Sequence, residues 1–485
     1  MRKIIPFLLI LSSCNFRPPY NRPEMEIPEH FRFAAENPEE YVNMAWWEQF
    51  GDPALNELIR CALQNNQDLQ VASARVLEFQ AKYKVAFSQF FPEFAASTFS
   101  DRLKVSEDVN FSPIPPGVPN VNTLNRVLAA LSYEVDFWGT IRNSAAAAKA
   151  QYLARVDARN IVILSLISSV AKAYIQLQEF DFQLIIAQET VDFRAEALRI
   201  ARLRFEAGLV SNLPVRQAES ELQSAEVQVK NFEELIGQQE DLISLLLGTP
   251  PASIARGKML KDLKLPPSVP VGLPSDLLQR RPDILMREQE MIAANAQIGV
   301  ARAAFFPVIT LTADRGQMST DFSEFFKNSA ALFDLFIDVE ERLYMGGRLT
   351  GQLNEAEALF LETAHSYQQT VLTAFKEVSD ALIAHEKSKE KLKIQIAQVE
   401  VLQDYLRLAQ LRYFNGQNDY LTVVESEKNL FQVELEMVST QADLFLSLID
   451  LYKALGQGWD VAPVCVCEPR EVDPPQSQER CAEVK

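Results

Sequence analysis

Apolar residues along the chain follow two different periods. From Asp68 to about Phe90 they recur on one stripe, through Leu69, Ala72, Val76, Phe79, Tyr83, Ala86 and Phe90, the spacing of a helix with one buried face. Phe91-Pro92 stops it. Between Phe99 and Phe111 the period shortens: Phe99, Leu103, Val105, Val109 and Phe111 fall at alternate positions, with Asp101 and Glu107 as exceptions. Leu124–Phe137 alternates as well, with Val127, Ala129, Leu131, Tyr133, Val135 and Phe137 opposite Arg126, Ser132, Glu134 and Asp136. Two half-buried strands joined by the proline-rich loop Ser112–Pro119 are predicted. The alternation by itself fits a soluble hairpin as well as a membrane one.

Gly139 closes this hairpin, and a much longer helical pattern follows. From Ile141 to about Ala207 there is no proline and no glycine. Roughly 65 residues at about 1.5 Å each predict a helix of about 100 Å, far beyond ordinary globular length. A second helix returns from Leu213 to about Leu247 and ends at Gly248-Thr249-Pro250-Pro251. Amphipathic helices this long need partners along their whole length, so a coiled-coil-like bundle is expected. Pro250–Pro274 is a proline-rich linker, and after it the plan restarts. Arg280-Arg281-Pro282-Asp283 echoes Asn65-Asn66-Gln67-Asp68, Phe306-Pro307 echoes Phe91-Pro92, and Gly346-Gly347-Arg348 echoes Gly139. Ile309, Leu311 and Ala313 alternate, as do Phe333, Leu335, Ile337 and Val339 opposite Asp334, Asp338 and Glu340. A further long helix runs from about Leu349 to Phe414, and its return from Leu421 to Leu455.

The strongest internal match lies between Ala201–Leu222 and Ala409–Leu430. Leu203, Arg204, Phe205, Gly208, Leu213, Val215 and Glu219 align with Leu411, Arg412, Tyr413, Gly416, Leu421, Val423 and Glu427. Each copy reads as a helix end, a glycine in the left-handed conformation and a new helix start, with Asn212 or Asp419 able to cap the second helix. Each is therefore the tip of a helical hairpin. A period of about two hundred residues is far too long for a solenoid repeat and signals a duplicated half-protein.

Composition narrows the function classes. Of 485 residues 48% are apolar, enough for a folded body, while the net charge of −18 argues against nucleic-acid binding and against docking on anionic lipid through a basic surface. His30, His365 and His385 are not spaced as a zinc pair. No P-loop, dinucleotide fingerprint or nucleophile elbow is present, so neither an enzyme nor a cofactor is expected. Arg2 and Lys3 precede the apolar run Ile4–Leu11, and Ser12-Ser13-Cys14 follows. That is a secretory signal too short to span a bilayer, and the cysteine after small residues resembles a bacterial lipobox with Cys14 as the acylated first residue. The covalent lipid on Cys14 is the only non-protein group expected.

Several ordered motifs resemble the outer membrane factor family, TolC-like export conduits, in the lipoprotein branch that serves resistance-nodulation-division efflux pumps. They are Pro19-Tyr20-Asn21-Arg22-Pro23 after Cys14, Trp46-Trp47 with Asp52-Pro53-Ala54-Leu55, the stretch Tyr133–Gly139, Arg281-Pro282-Asp283-Ile284, the stretch Ala294–Pro307, and Gly346-Gly347-Arg348-Leu349. The resemblance covers roughly Cys14 to Gly456. It implies an α plus transmembrane β-barrel class in which each of three protomers gives four strands to one twelve-stranded barrel, continued by very long helical hairpins as a periplasmic tunnel. The implied layout is a signal peptide over 1–13, then an extended, poorly packed leader and short helix over 14–60. A first repeat follows over 61–248 (hairpin 94–137, tip near 208), then a linker over 249–274. The second repeat spans 275–456 (hairpin 307–343, tip near 416), and a disordered tail spans 457–485. Glu134, Asp136, Asp334, Asp338 and Glu340 would line water while the aliphatic positions face lipid.

The implied partners are two further copies of the chain, a periplasmic adaptor, an inner-membrane efflux pump and outer-membrane lipid, with no nucleic acid. The tip turns Gly208-Leu209-Val210 and Gly416-Gln417-Asn418 match the adaptor-docking positions. Matching the periplasmic gate puts Glu425 on one acidic position and Thr422 where another often sits, with Asp419 nearer the turn. The C-terminal stretch, with Cys465, Cys467 and Cys481, departs from the family pattern, and spacing assigns these cysteines and Cys61 no partners. Service to a type I protein-secretion system is an alternative within the conduit reading. A non-porous periplasmic coiled-coil scaffold and a lipid-anchored hydrolase are alternatives from other classes.

Overall fold

The computed structural model describes residues 15–28, 31, 45–104, 121–265 and 274–460. Cys14, the loop Ser112–Pro119, the positions Val105, Glu107, Val109 and Phe111, and the cysteines beyond 460 lie outside the described residues. Helices α1 (Pro53–Asn65) and α2 (Gln67–Ser88) lead into strands β1 (Glu93–Lys104) and β2 (Val121–Glu134), then helices α3 (Thr140–Glu206) and α4 (Leu213–Leu246). After a one-turn helix α5 (Leu277–Arg280), the order repeats as α6 (Pro282–Ala303), β3 (Val308–Ser319), β4 (Ala331–Glu340), α7 (Arg348–Phe414) and α8 (Tyr420–Ala454). The described parts divide into two compact units. One takes residues 15–25, Val76–Arg155 and Met286–Gln369, and the other Glu26–Arg75, Val156–Leu285 and Thr370 onward.

The first unit holds one antiparallel sheet in the order β1-β2-β3-β4. Residues directly opposite in such a pair project to the same side. The register Phe94↔Leu131↔Ala313↔Leu335 therefore defines one face, which also carries Tyr133, Ile309, Leu311, Phe333, Ile337 and Val339. This face is apolar and uncovered: Phe94 is 79% exposed, Phe333 70% and Ile337 67%. The opposite face carries Glu93, Asp101, Glu134, Asp314, Asp334, Asp338 and Glu340.

Two sequence expectations change here. Pairing of Phe99 with Arg126 puts Phe99 and Leu103 on the acidic face, where the Arg126 guanidinium lies 5.5 Å from the Phe99 ring centroid. The apolar phase of β1 is carried by Phe94 instead, because the ladder with β2 sets the register for the whole strand. Asp136 lies beyond β2 and lines no sheet face. Its carboxylate accepts from the backbone N–H groups of Ile141 and Arg142 at 3.0 Å and from Arg142 Nε at 2.8 Å, so it neutralises the unpaired donors at the start of α3.

The leader is packed where it is described, contrary to expectation. Asn295 Nδ2 donates to the Pro18 carbonyl at 3.1 Å, and Arg22 grips both Glu288 oxygens at 2.7 Å from one nitrogen. In the second unit Trp46 and Phe50 are fully buried, and the Trp46 ring stacks on Tyr452 at 5.2 Å. Asp52 caps α1, with Pro53 at its first position as expected. Its other oxygen accepts from the Tyr174 hydroxyl at 2.7 Å and the Lys258 N–H at 3.2 Å, so one buried carboxylate ties α1, α3 and the linker together. A Cβ on Gly257 would stand 2.0 Å from this carboxylate.

The two halves end their helices by one device. Gly208, Gly248, Gly416 and Gly456 all have φ near +70°. At each, the next residue's N–H returns to a carbonyl one turn back, as Leu209 to Arg204 and Gln417 to Arg412 at 2.9 Å. The expected side-chain caps at Asn212 and Asp419 are absent. Asn212 itself has helical dihedrals, and a capping side chain reaches back only from an extended residue; Ser211 Oγ instead accepts from the Leu213 N–H at 3.4 Å. The start of the expected disordered tail is also ordered: Gln457 is fully buried and Trp459 Nε1 donates to the Arg280 carbonyl at 3.3 Å.

Glu179 on α3 is buried, and burial pushes its carboxyl up to about 7, with Asp443 adding to the rise while Ser439 and Gln183 oppose it. A carboxyl raised in the fold from an ordinary value near 4.5 binds its proton more tightly there than in the unfolded chain. Stability from this group is therefore full below about 4.5 and falls as pH rises through about 7. Glu179→Gln should remove that slope, raising stability at pH 8 by up to about 3 kcal/mol and changing it little at pH 4.5. Thermal unfolding followed by circular dichroism at both pH values measures this; equal shifts at both would exclude the titration.

Candidate functional site

The two hairpin tips come together in the second unit. Arg204 of α3 lies over the Tyr413 ring at 4.8 Å, and Tyr413 meets Tyr420 across its own turn at 5.4 Å. A Cβ added at Gly208 or at Gly416 would meet no heavy atom of the described residues within 4 Å; only the left-handed backbone demands glycine there. Leu209 is 70% exposed, Gln417 is exposed, and Val210 and Asn418 are half-buried. Leu213, Phe414 and Leu421 are also uncovered, so the tips expose several large apolar side chains as well as polar ones.

Asp419 and Glu425 are both exposed, and Thr422 is half-buried. Glu425 shares an uncovered stripe of α8 with Leu421 and Lys428, while Val423, Ser426 and Glu427 face inward. On the single chain the Glu425 side chain is exposed.

Sequence reasoning missed a buried tie several turns from the tips. Arg194 of α3 donates from Nε to Glu427 Oε1 and from Nη2 to Oε2, both at 3.0 Å, and from Nη1 to the Glu221 carbonyl at 2.6 Å. The side chains of Arg194 and Glu427 are 6% and 9% exposed. Burial pushes the Glu427 carboxyl up and the Arg194 charge pulls it back down. The first hairpin, α3 with α4, is thus bound to α8 by one guanidinium. Nearby, a cavity of about 240 Å³ lined by Phe193, Ile200, Phe414 and Tyr420 separates α3 from the second tip. The available signal was an arginine on the apolar face of α3 whose aligned position in the second half is Leu402.

At the helix-bearing end of the sheet, aromatic rings gather. Trp138 Nε1 donates to the Pro307 carbonyl at 2.8 Å, its ring lies 4.7 Å from Phe306, and Phe16 stacks on Phe306 at 4.5 Å. Leu343 and Tyr344, just past β4, are 89% and 90% exposed. Asn15 joins this cluster, accepting from Asn143 Nδ2 at 3.1 Å. Rings at a strand end below an uncovered apolar band are what a membrane interface selects.

An exposed apolar sheet face, an acidic opposite face and two matching helical hairpins fit the class of outer-membrane conduits. The chain belongs to the outer membrane efflux protein family, whose family model matches residues 58–249 and 273–457. It is 33% identical over 458 residues to the probable efflux pump outer membrane protein TtgC of Pseudomonas putida, covering 93% of this chain and 94% of that one. It is 31% identical over 473 residues to the cation efflux system protein CusC of Escherichia coli O6:H1, covering 94% and 99%. The open state of the Neisseria gonorrhoeae MtrE outer membrane channel superposes with a TM-score of 0.82 at 28% identity, covering 92% and 99%. The protein is an outer-membrane component of an efflux system, and the scaffold and hydrolase readings fall away.

Removing Arg194 leaves Glu427 buried without its partner, which costs about 3–5 kcal/mol for such pairs. Arg194→Met should lower stability of the purified protein by that order, and adding Glu427→Leu should recover most of it. Chemical denaturation of the four members of this cycle measures the coupling; a coupling below about 0.5 kcal/mol would mean the pair does not join the helices.

Proposed function

We propose that three copies of this chain close one twelve-stranded barrel in the outer membrane, continued by the helical hairpins as a tunnel, in a tripartite assembly with a periplasmic adaptor and an inner-membrane efflux pump. The observation that carries this reading is the sheet itself. Its apolar face is uncovered, and β1 and β4 each pair on one side only. In hydrocarbon the free edge of either strand would leave backbone donors and acceptors unpaired at several kcal/mol per group, so the sheet is stable in lipid only if its edges meet other edges. Joining β4 of one copy to β1 of the next satisfies every edge without a new element. The acidic face then lines the water-filled interior.

The remaining roles follow from the same arrangement. The tips around Gly208-Leu209-Val210 and Gly416-Gln417-Asn418 receive the adaptor. Cys14 carries the lipid: its neighbour Asn15 is held beside the Trp138 cluster, where acyl chains would enter the membrane's inner leaflet. Three Glu425 carboxylates brought together in the trimer form the acidic ring of the periplasmic gate, with Asp419 nearer the turn. At about 6 Å such charges repel by roughly 0.7 kcal/mol per pair in water-like surroundings. The ring therefore opposes closure and draws cations rather than locking the gate.

Conductance of the purified protein in a planar bilayer tests the conduit. Glu425→Gln should reduce its preference for cations and weaken block by divalent ions added from the periplasmic side; unchanged selectivity and block would remove Glu425 from the pore. Cys14→Ala should abolish incorporation of labelled palmitate in cells, and continued labelling would place the lipid elsewhere.

A further inference from the structure

The two halves repeat at a fixed spacing, as Gly208 to Gly416 and Gly248 to Gly456, and α3 and α7 are both 67 residues long. Equivalent positions can therefore be compared one by one. Within the second unit α3 runs antiparallel to α8. Lys172 pairs with Asp450 at 2.5 Å and Arg194 with Glu427 at 3.0 Å. Between them Gln183 Nε2 donates to the Leu435 carbonyl at 3.5 Å. Helix α4 lies along α3, with Gln239 Nε2 donating to the Ala173 carbonyl at 2.8 Å. Helix α7 lies along α8, where His385 Nδ1 is 3.4 Å from Ser447 Oγ. The helices thus follow the order α7-α8-α3-α4, which leaves α7 and α4 outermost.

Equivalent places on α3 and α7 differ in exposure. Ile186 and Phe193 of α3 are 8% and 37% exposed, while their equivalents on α7, Ile394 and Val401, are both 68% exposed. Tyr405 and Leu408 are exposed where Ala197 and Ile200 are half-buried. Ile394, Val401 and Leu408 recur every seventh residue, the repeat of a helix that packs along another helix. The cover on α3 comes from α8 and its turn, and the equivalent of α8 is α4. Leu435, Asp443 and Asp450 of α8 correspond to Val227, Leu235 and Leu242 of α4, all three exposed. Aliphatic side chains replace both carboxylates, so this stripe of α4 is apolar too. Helices α4 and α7 stand at opposite ends of one chain's row, so the α4 that covers α7 belongs to another copy. We propose that α7 of one copy packs along α4 of the next, in the register by which α3 packs along α8. Between the two ion pairs Ile186 stands level with Leu435, which sets Ile394 level with Val227 of the next copy and Lys387 level with its Glu234. Such a contact joins unlike surfaces and closes a ring. This assignment rests on the proposed three-copy assembly and names its helical seam.

The test uses the full-length protein purified in detergent, with Cys61, Cys465, Cys467 and Cys481 replaced by serine and Cys14 kept. Ile394→Cys combined with Val227→Cys puts one cysteine on each outer helix. Oxidation should then join three chains into a covalent trimer on a denaturing gel. Ile394→Cys with Leu242→Cys, displaced by about 22 Å along α4, should lose that product, and Ile394→Cys alone should stay uncrosslinked. A second measurement needs no variant to fold. Treating the wild type with a carbodiimide, which couples amine to carboxylate at contact distance, should give a covalent trimer whose digest contains Lys387 linked to Glu234. Covalent dimers from Ile394→Cys alone, or equal crosslinking by the displaced pair, would overturn the register. Native mass spectrometry of the wild type separates the two levels of failure. If trimers are present while neither chemistry joins α7 to α4, the seam falls and the three-copy assembly stands; if only single chains are found, both fall.

Discussion

The structure depends on one length. Helices α3 and α7 are both 67 residues long. Each starts beside a left-handed glycine, Gly139 or Gly347, and each ends at another, Gly208 or Gly416. In an α-helix every added residue turns the next side chain by about 100°. Over so many turns, one inserted residue in either helix would swing everything beyond it off its packed face. Ile167, Val170, Ala171 and Tyr174 on α3, and Tyr367, Val371, Ala374 and Val378 on α7, are all essentially buried, so each helix has an inward face that must keep its phase. Glycine at both ends holds that phase, because no other residue takes the closing conformation without steric cost.

Geometric equivalence of the halves does not require equal chemistry. The last carbonyls of α4 and α8 have no partner within their own helices. Asn66 supplies one for α4, its amide donating to the Leu246 carbonyl at 2.9 Å. At the aligned place Arg281 donates to the Ala454 carbonyl at 2.9 Å and reaches Asp283 and Glu377 at 2.6 and 2.7 Å. The asparagine spends two groups on the backbone, since its oxygen also accepts from the Leu69 N–H. The buried arginine needs two carboxylates besides, as a buried charge must. One corner is therefore joined by neutral hydrogen bonds and the other by an ion network.

Much of this was legible in the sequence, because it is written as periodicity and glycine. The helical stripe of α2 holds in the structure: Leu69 and Val76 are buried, and Ala72, Phe79, Tyr83 and Ala86 are half-buried. The helix ends at Gly208 and Gly416 are also where the pattern puts them. What the sequence hides is long-range pairing. The face taken by Phe99 is decided by its partner Arg126, and nothing local in β1 shows it. Asp136 continues the alternation of β2 on paper, yet caps the following helix.

The Arg194 tie gives duplication a direction. Its guanidinium serves two carboxylate-bearing helices at once, while Leu402 at the aligned site can serve neither. After a gene doubles, each copy of a residue is free to drift only where the other copy does not lean on it. Here the first half holds the fastener and the second half holds the part being fastened. A protein assembled from two first halves would carry two such cations, and one assembled from two second halves would carry none. The order of the halves is thus part of the design, and substitutions at 194 and 402 should be tolerated very differently across a lineage although the backbone treats the two positions alike.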